Sequence, residues 1–542
     1  MSSDTPGTPP SGWTPGTPPS GDTPGTPPSG GTPETPAGSE TPQTPATGGT
    51  PGTHVTVRGP GGEPIEGIRS LVPARLDRLP WTRFHWLVIV GLGTCWVLDG
   101  LEITLVGAAN PVIQIDFHIN AATAGLLATF YLVGQVCGAL FFGRLTDLLG
   151  RRRLFILTLT IYLVASGISG FSPNIWFMLI FRFFAGTGIG GEYTAINSAI
   201  DELIPSRYRG RVDISINTTY WLGAMIGSIV STQILSLPTN IGWRVGFFIG
   251  PVIGIIIIFI RRTIPESPRW LLTHGKEAEA EQTTSDIERR VEQGGVKLEP
   301  VPDSRAIVVT GEGAASYFQL IHTFFARYLS RSILSAVLFI TQSFLYNAIF
   351  FNDAGILHTW YGVPVDHTGY FFFPFAASNL IGGIALGTLF DTWGRKVMIG
   401  GTYLVSGTIL IISAFLFQAD LLNAVTQTIF WCACFFFATA GASAAYLTCS
   451  EIFPVELRGS AISIFFSIGQ LVGGAVAPPI FGALMAATTR GPLTFGFILG
   501  GGLMIIGSIT AFTLGVNAER KALEDVATPL NALEMPTSVT GP

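Results

Sequence analysis

Gly143-Arg-Leu-Thr-Asp147-Leu-Leu-Gly150-Arg151-Arg152 follows one apolar stretch of the chain, and Gly387-Thr-Leu-Phe-Asp391-Thr-Trp-Gly394-Arg395-Lys396 follows another. Both read G-x-x-x-D-x-x-G-R-[RK]. A second pair comes later in each half: Glu202-Leu-Ile-Pro205-Ser-Arg-Tyr-Arg209-Gly210 and Glu451-Ile-Phe-Pro454-Val-Glu-Leu-Arg458-Gly459, both E-x-x-P-x-x-x-R-G. Two motifs repeated in the same order, one half-chain apart, mark a duplication. Basic residues clustered at the ends of apolar blocks mark the retained side of a membrane. The repeat unit is therefore a set of membrane helices, and the chain carries two of them.

The composition agrees. Hydrophobic residues make up 48% of the 542 positions and charged residues only 12%, with a mean hydropathy of +0.48. A soluble domain carries about 25% charged residues, so a soluble enzyme is excluded. A net charge of -5 excludes a nucleic-acid binder. The five cysteines, Cys95, Cys137, Cys432, Cys434 and Cys449, all fall in apolar blocks and show neither zinc spacing nor a disulfide framework. No nucleophile–base set or nucleotide loop is present, so no enzyme, metal or cofactor is expected.

A bilayer core takes about 20 apolar residues per helix. Spans are expected near 84–107, 121–145, 154–171, 174–198, 213–236 and 243–262, then near 329–351, 367–389, 397–417, 423–448, 459–486 and 493–516. All are helices, because an open strand leaves backbone groups unpaired in lipid. This predicts an all-α polytopic protein: twelve transmembrane helices in two pseudo-symmetric six-helix halves, 84–262 and 329–516. Arg and Lys concentrate in alternate connections, which places both termini in the cytoplasm, in a cell (plasma or inner) membrane. Between the halves, 263–328 is a cytoplasmic linker. Within it, 275–293 reads as a polar helix and 316–328 as an amphipathic interfacial one. Residues 63–83 form a juxtamembrane segment and 517–542 a C-terminal tail.

Residues 1–62 are a different kind of chain. T-P-G-T-P-P-S-G recurs there, and 15 of the 36 prolines precede residue 61. Such a segment buries no apolar surface and reads as disordered, with polyproline II character.

The paired loop motifs, the repeat and the twelve spans resemble the major facilitator superfamily over about residues 75–525. Arg182-Phe-Phe-Ala-Gly186-Thr-Gly188-Ile-Gly190 resembles its fourth-helix motif. Pro265-Glu-Ser-Pro-Arg-Trp-Leu271 resembles the motif after helix six of sugar porters and organic-ion transporters, a group that includes nicotinate-type metabolite:proton symporters. Gln342-Ser-Phe-Leu-Tyr-Asn347-Ala348 resembles the sugar-porter seventh helix. The resemblance implies a secondary transporter working by alternating access. It also implies a cytoplasmic gate of interdomain ion pairs built from Gly143, Asp147, Arg151, Glu202 and Arg209, with Gly387, Asp391, Arg395, Glu451 and Arg458. Leu148 stands where the family commonly has a basic residue.

Charge inside the spans is the sharper signal. Asp99 and Glu102 are three apart in span one and so share a helix face. Arg182 and Glu192 lie in span four. A lone carboxylate in hydrocarbon must be protonated, paired or turned to a cavity. Aligned on E-x-x-P, Arg182 corresponds to Trp431 and Glu192 to Gly441. A purely structural need of a duplicated fold would more readily appear twice, so these four residues are expected to couple transport to protons. Asp99 is the first choice for the proton, Glu102 the second, and Arg182 the partner that sets the acid's affinity. The expected substrate is a small organic solute: a sugar, a carboxylic or aromatic acid, or a nicotinate-like metabolite. Its expected contacts are Gln342, Asn347, Tyr346, Asn352, Gln470, Asn217 and Trp221, with Tyr220 and Phe371, Phe372, Phe373 and Phe375 as possible cavity walls. A monomer in the lipid bilayer suffices. The alternatives are an uncoupled facilitator or proton antiporter of the same fold, and a transporter-like nutrient sensor.

Overall fold

The structure, a computed structural model, describes residues 54–58, 64–261, 265–303, 306–310, 317–387, 389, 393–453, 458–487 and 489–516. Most of the expected tail, 1–53, and the C-terminal segment 517–542 lie outside the described residues. So do Asp391 and the side chains of Asp147, Arg151, Glu202, Arg209, Glu451 and Arg458, which carry most of the expected gate.

The first half holds α2 (Arg83–Asp116), α3 (Ala121–Leu149), α4 (Arg151–Gly170), α5 (Ile175–Leu203), α6 (Ser206–Ile234) and α7 (Thr239–Arg261). The second holds α11 (Leu329–Phe350), α13 (Thr368–Gly387), α14 (Arg395–Gln418), α15 (Ala424–Ile452), a broken helix α16 (Arg458–Ile468) and α17 (Ala477–Met485), and α18 (Arg490–Leu514). These are the twelve expected spans. Among the described residues, ten are apolar enough to cross a bilayer by length and hydropathy. The other two, α5 and α6, are long enough, but Arg182 and Glu192 in one and the Ser, Thr, Asn and Arg residues of the other lower their hydropathy.

Several helices outrun their expected ends. The first runs 34 residues to Asp116, through Asn110 and Pro111. A helix satisfies its own backbone and need not stop where hydropathy falls. The window of apolar residues marks the lipid-crossing part alone.

The loop motif explains itself locally. Gly150 has φ +88° and Gly394 φ +93°, each just before a helix, α4 and α14. That region favours glycine, so the glycine of G-R-[RK] is the turn itself. At Gly150 a Cβ would also press on the Glu266 carboxylate. That carboxylate accepts the Arg152 backbone N–H at 3.2 Å, so an acid sits on the positive end of α4. Glu266 belongs to the Pro265–Leu271 motif, whose Ser267 caps the short α8 (Pro268–Thr273) by accepting the Trp270 N–H at 3.2 Å.

The linker forms the expected helices as α9 (Glu277–Gln293) and α10 (Tyr317–Arg327). Sequence reading missed a small antiparallel sheet. Strands β1 (His54–Arg58) and β2 (Pro64–Ser70) form a hairpin, and β2 pairs with β3 (Ile307–Thr310), Gly67 opposite Thr310 and Ser70 opposite Ile307. The sheet starts within the last residues of 1–62. Next to it α1 (Val72–Asp77) is tied to α9: Arg75 bonds Glu288 at 2.6 Å and Glu281 at 2.5 Å, and Arg78 bonds Glu288 at 2.5 Å.

On the face opposite the linker the two halves press together. A Cβ on Gly482 would come within 2.5 Å of the Ala121 carbonyl oxygen, and one on Gly369 within 2.2 Å of the Ser228 carbonyl oxygen. Close backbone approach of this kind needs small residues.

Candidate functional site

Between the halves lies a cavity of about 190 Å³, with residues of both halves in its wall. From the first half come Trp96, Asp99, Gln135, Tyr193, Asn217, Tyr220 and Trp221; the second contributes Gln342, Tyr346, Asn347, Ser343, Thr439, Ser443, Tyr446 and Gln470 among others. A midplane cavity at a repeat interface is where secondary transporters hold their substrates.

The carboxamides are linked across the halves. Gln470 Nε2 donates to Gln135 Oε1 at 3.2 Å, and Asn347 Nδ2 donates to Gln470 Oε1 at 3.4 Å and to the Ser343 carbonyl at 2.7 Å. Gln342 Oε1 accepts from the Tyr403 hydroxyl at 3.3 Å. The break between α16 and α17, a single wide turn over Gly469–Gly474, contains Gln470. Such turns inside helices recur at functional sites. Here its glycines seat it against α11, since a Cβ on Gly473 would lie 2.3 Å from the Ile340 carbonyl oxygen.

Aromatic rings make the rest of the wall. Trp96 meets Tyr193 edge-on with centroids 4.1 Å apart, and Trp221 lies 5.8 Å from Tyr346. Phe372 and Phe375 stand behind this wall, packing on Phe350 and Trp221.

Asp99 is at the wall, and the other buried charges stand behind it. Arg182, fully buried, bonds Glu102 through Nη1 at 2.6 Å. Its guanidinium carbon lies 4.3 Å above the ring centroid of Tyr131, a cation–π distance. The Tyr131 hydroxyl donates to Asp99 Oδ1 at 2.5 Å. Glu192 accepts from the Cys95 thiol at 3.5 Å. These side chains meet because α3 and α5 are nearly in backbone contact: a Cβ on Gly186 would sit 2.0 Å from the Tyr131 carbonyl oxygen, and one on Gly190 1.9 Å from that of Gln135. The fourth-helix glycines Gly186 and Gly190 are thus packing residues that seat α5, and Arg182 with it, against Tyr131 of α3.

Of the expected contacts, Asn217, Trp221, Gln342, Tyr346, Asn347 and Gln470 line the cavity together with Asp99. Asn352 is not among the lining residues; it is buried and donates back to the Ala348 carbonyl at 2.9 Å. Arg182, expected as the partner of the proton-carrying acid, bonds Glu102, the second choice for that acid, and Tyr131 touches both Arg182 and Asp99. Sequence reading missed Tyr131 and Gln135 in span two and Tyr193 in span four. A polar Gln135 in an otherwise apolar span was the available signal. Among the described residues no cluster suits a metal ion.

A family model described as sugar (and other) transporter matches residues 98–528. The niacin transporter of Acinetobacter baylyi is 28% identical over 423 residues, covering 76% of this chain and 90% of that one. Polyol transporter 5 of Arabidopsis thaliana is 23% identical over 505 residues, covering 86% and 90%. Among solved structures, the proton:xylose symporter of the major facilitator superfamily bound to 6-bromo-6-deoxy-D-glucose superposes with a TM-score of 0.64 at 17% identity, covering 84% of this chain and 99% of that one. The family model spans most of the chain, and the chain belongs to the sugar (and other) transporter family of multi-pass membrane transporters.

Proposed function

We propose that the protein is a proton-coupled symporter for a small polar ring compound, with both termini in the cytoplasm of a cell membrane. The observation that carries this reading is the buried charge set beside the cavity: three carboxylates, Asp99, Glu102 and Glu192, around one guanidinium, Arg182. In a low-dielectric interior three carboxylates against one cation are not all ionised. The set therefore holds protons, and Asp99 is the member at the cavity wall, where a proton and a substrate can arrive together.

Glu102 and Arg182 then form a fixed pair that neutralises itself, while Asp99 exchanges its proton. Substrate is held by the carboxamides of Gln342, Asn347, Gln470, Gln135 and Asn217, which offer donors and acceptors to hydroxyl, carboxylate or ring nitrogen. The aromatic wall stacks on its ring. With the halves closed on the face opposite the linker, release is toward the linker side, and Asp147, Arg151, Glu202, Arg209, Asp391, Arg395, Glu451 and Arg458 would latch that side in the other state.

The test is uptake into proteoliposomes with an acidic exterior, using labelled nicotinate, D-xylose and a linear polyol as probes. Gradient-driven accumulation of nicotinate or D-xylose in preference to the linear polyol is expected, and its loss in Asp99→Asn. Accumulation that survives both Asp99→Asn and Glu102→Gln would sink the proposal.

A further inference from the structure

We infer that Tyr131 is the positioning residue that links the cavity-side acid to the buried ion pair, so that the proton affinity of Asp99 is set through the Tyr131 hydroxyl. The inference rests on the reading of Asp99 as the proton site and adds a residue to it.

Tyr131 is 1% exposed and has two polar partners, one at its hydroxyl and one over its ring face. Its hydroxyl donates to Asp99 Oδ1 at 2.5 Å, and its ring lies under the Arg182 guanidinium at 4.3 Å, while Arg182 itself bonds Glu102 at 2.6 Å. The chain of contacts runs Asp99, Tyr131, Arg182, Glu102. Its backbone is held as well: Gly186, one turn beyond Arg182, leaves no room for even a Cβ against the Tyr131 carbonyl. Ring and guanidinium thus belong to one rigid crossing of α3 and α5.

A phenol can only donate to an ionised carboxylate, so the bond favours the charged form of Asp99. The guanidinium over the ring face draws electron density from the ring and strengthens the phenol as a donor. When Asp99 takes a proton, the charge that held the hydroxyl disappears, and the Tyr131–Arg182 stack is the element that experiences the change. The other titratable groups that face Asp99 are Glu102 on its own helix, Tyr162 on α4, Arg182, Glu192 and Tyr193 on α5 and Tyr220 on α6; Tyr346 and Tyr446 of the opposite half line the same cavity, Cys95 bonds Glu192, and α7 presents Gly250 to Glu102. Tyr131 is the group the structure shows hydrogen-bonded to the Asp99 carboxylate.

The experiment needs no substrate. Purified full-length protein is titrated by pH-difference infrared spectroscopy, and the protonated-carboxyl band that disappears in Asp99→Asn is followed. In Tyr131→Phe, which keeps the ring under Arg182, the midpoint of that band is expected to move up by about one to two pH units, the equivalent of one hydrogen bond to a charged group. Site-specific 3-fluorotyrosine at position 131, a stronger donor of nearly the same shape, is expected to move it down. It keeps the question open to test if the Phe variant does not fold. A purely packing role predicts an altered thermal midpoint with the titration unmoved in both variants, and that result overturns the inference while leaving the proton-site reading intact. If Asp99→Asn removes no titrating band, both fall.

Discussion

The crossing of α3 with α5 and the crossing of α13 with α15 are the same contact made twice. A Cβ on Gly138 would lie 2.1 Å from the Thr187 carbonyl oxygen, and one on Gly382 2.2 Å from that of Phe436. These residues correspond under the offsets that relate the loop motifs. The caps correspond too: Asn174 accepts the Phe177 N–H at 3.0 Å to start α5, and Asn423 accepts the Thr426 N–H at 2.9 Å to start α15. Charge does not correspond. At the position of Arg182 the second half has Trp431, buried and edge-on to Phe497, and at that of Glu192 it has Gly441, packed on Tyr403. What the fold requires appears in both halves, and what appears once was free to serve transport.

That contrast breaks most readily at the ion pair. Glu102→Ala leaves Arg182 buried without its carboxylate and is expected to cost about 3–5 kcal/mol, read as a large fall in the thermal midpoint of the purified protein. Trp431→Leu at the matching place keeps an apolar core and should cost less; an equal fall would erase the asymmetry. The next effect is symmetric. Gly138→Ala and Gly382→Ala each push a methyl into a carbonyl and should each cost about 1–3 kcal/mol. Similar falls in both variants would support the duplication as a packing rule, and a loss confined to one half would refute it.

The repeat, the twelve spans, the polar linker helix and the amphipathic helix before α11 were legible because each leaves a local signature: a motif, a hydropathy block, a charge bias. Asp99, Gln342, Asn347 and Gln470 were legible because a polar group in an apolar span is costly and needs a reason. Tyr131 and Tyr193 were not, since a tyrosine in a span has no such cost to announce it, and its partner is known only once α3 and α5 cross. The placement of Asn352 outside the cavity wall was illegible for a similar reason: its amide bonds its own helix, which no spacing reveals. The sheet joining His54–Arg58 and Pro64–Ser70 to Ile307–Thr310 depends on pairing across more than two hundred residues, and short strands of mixed polarity carry no periodic signal that reaches so far.

The smallest effect lies outside the bilayer, where α1 meets α9, and it asks whether the linker is held by charge to the segment that precedes the first half. Burial works against the Glu288 carboxylate, but the bonds from Arg75 and Arg78 outweigh it and hold its proton affinity below the ordinary carboxylate range. A carboxylate lowered in the folded state stabilises the contact fully above the unfolded value, about pH 4.3, and that stabilisation is lost as pH falls through the lower folded value. From pH 7 to pH 5 the clasp should therefore be unchanged, and it should loosen only in stronger acid. Because these side chains are still partly exposed, Glu288→Gln should cost less than about 1 kcal/mol. It should raise the hydrogen-exchange rate of Glu277–Gln293 at neutral pH and leave the carboxyl titration at Asp99 where it was. If the variant instead moved that titration, the linker would be coupled to the charge set.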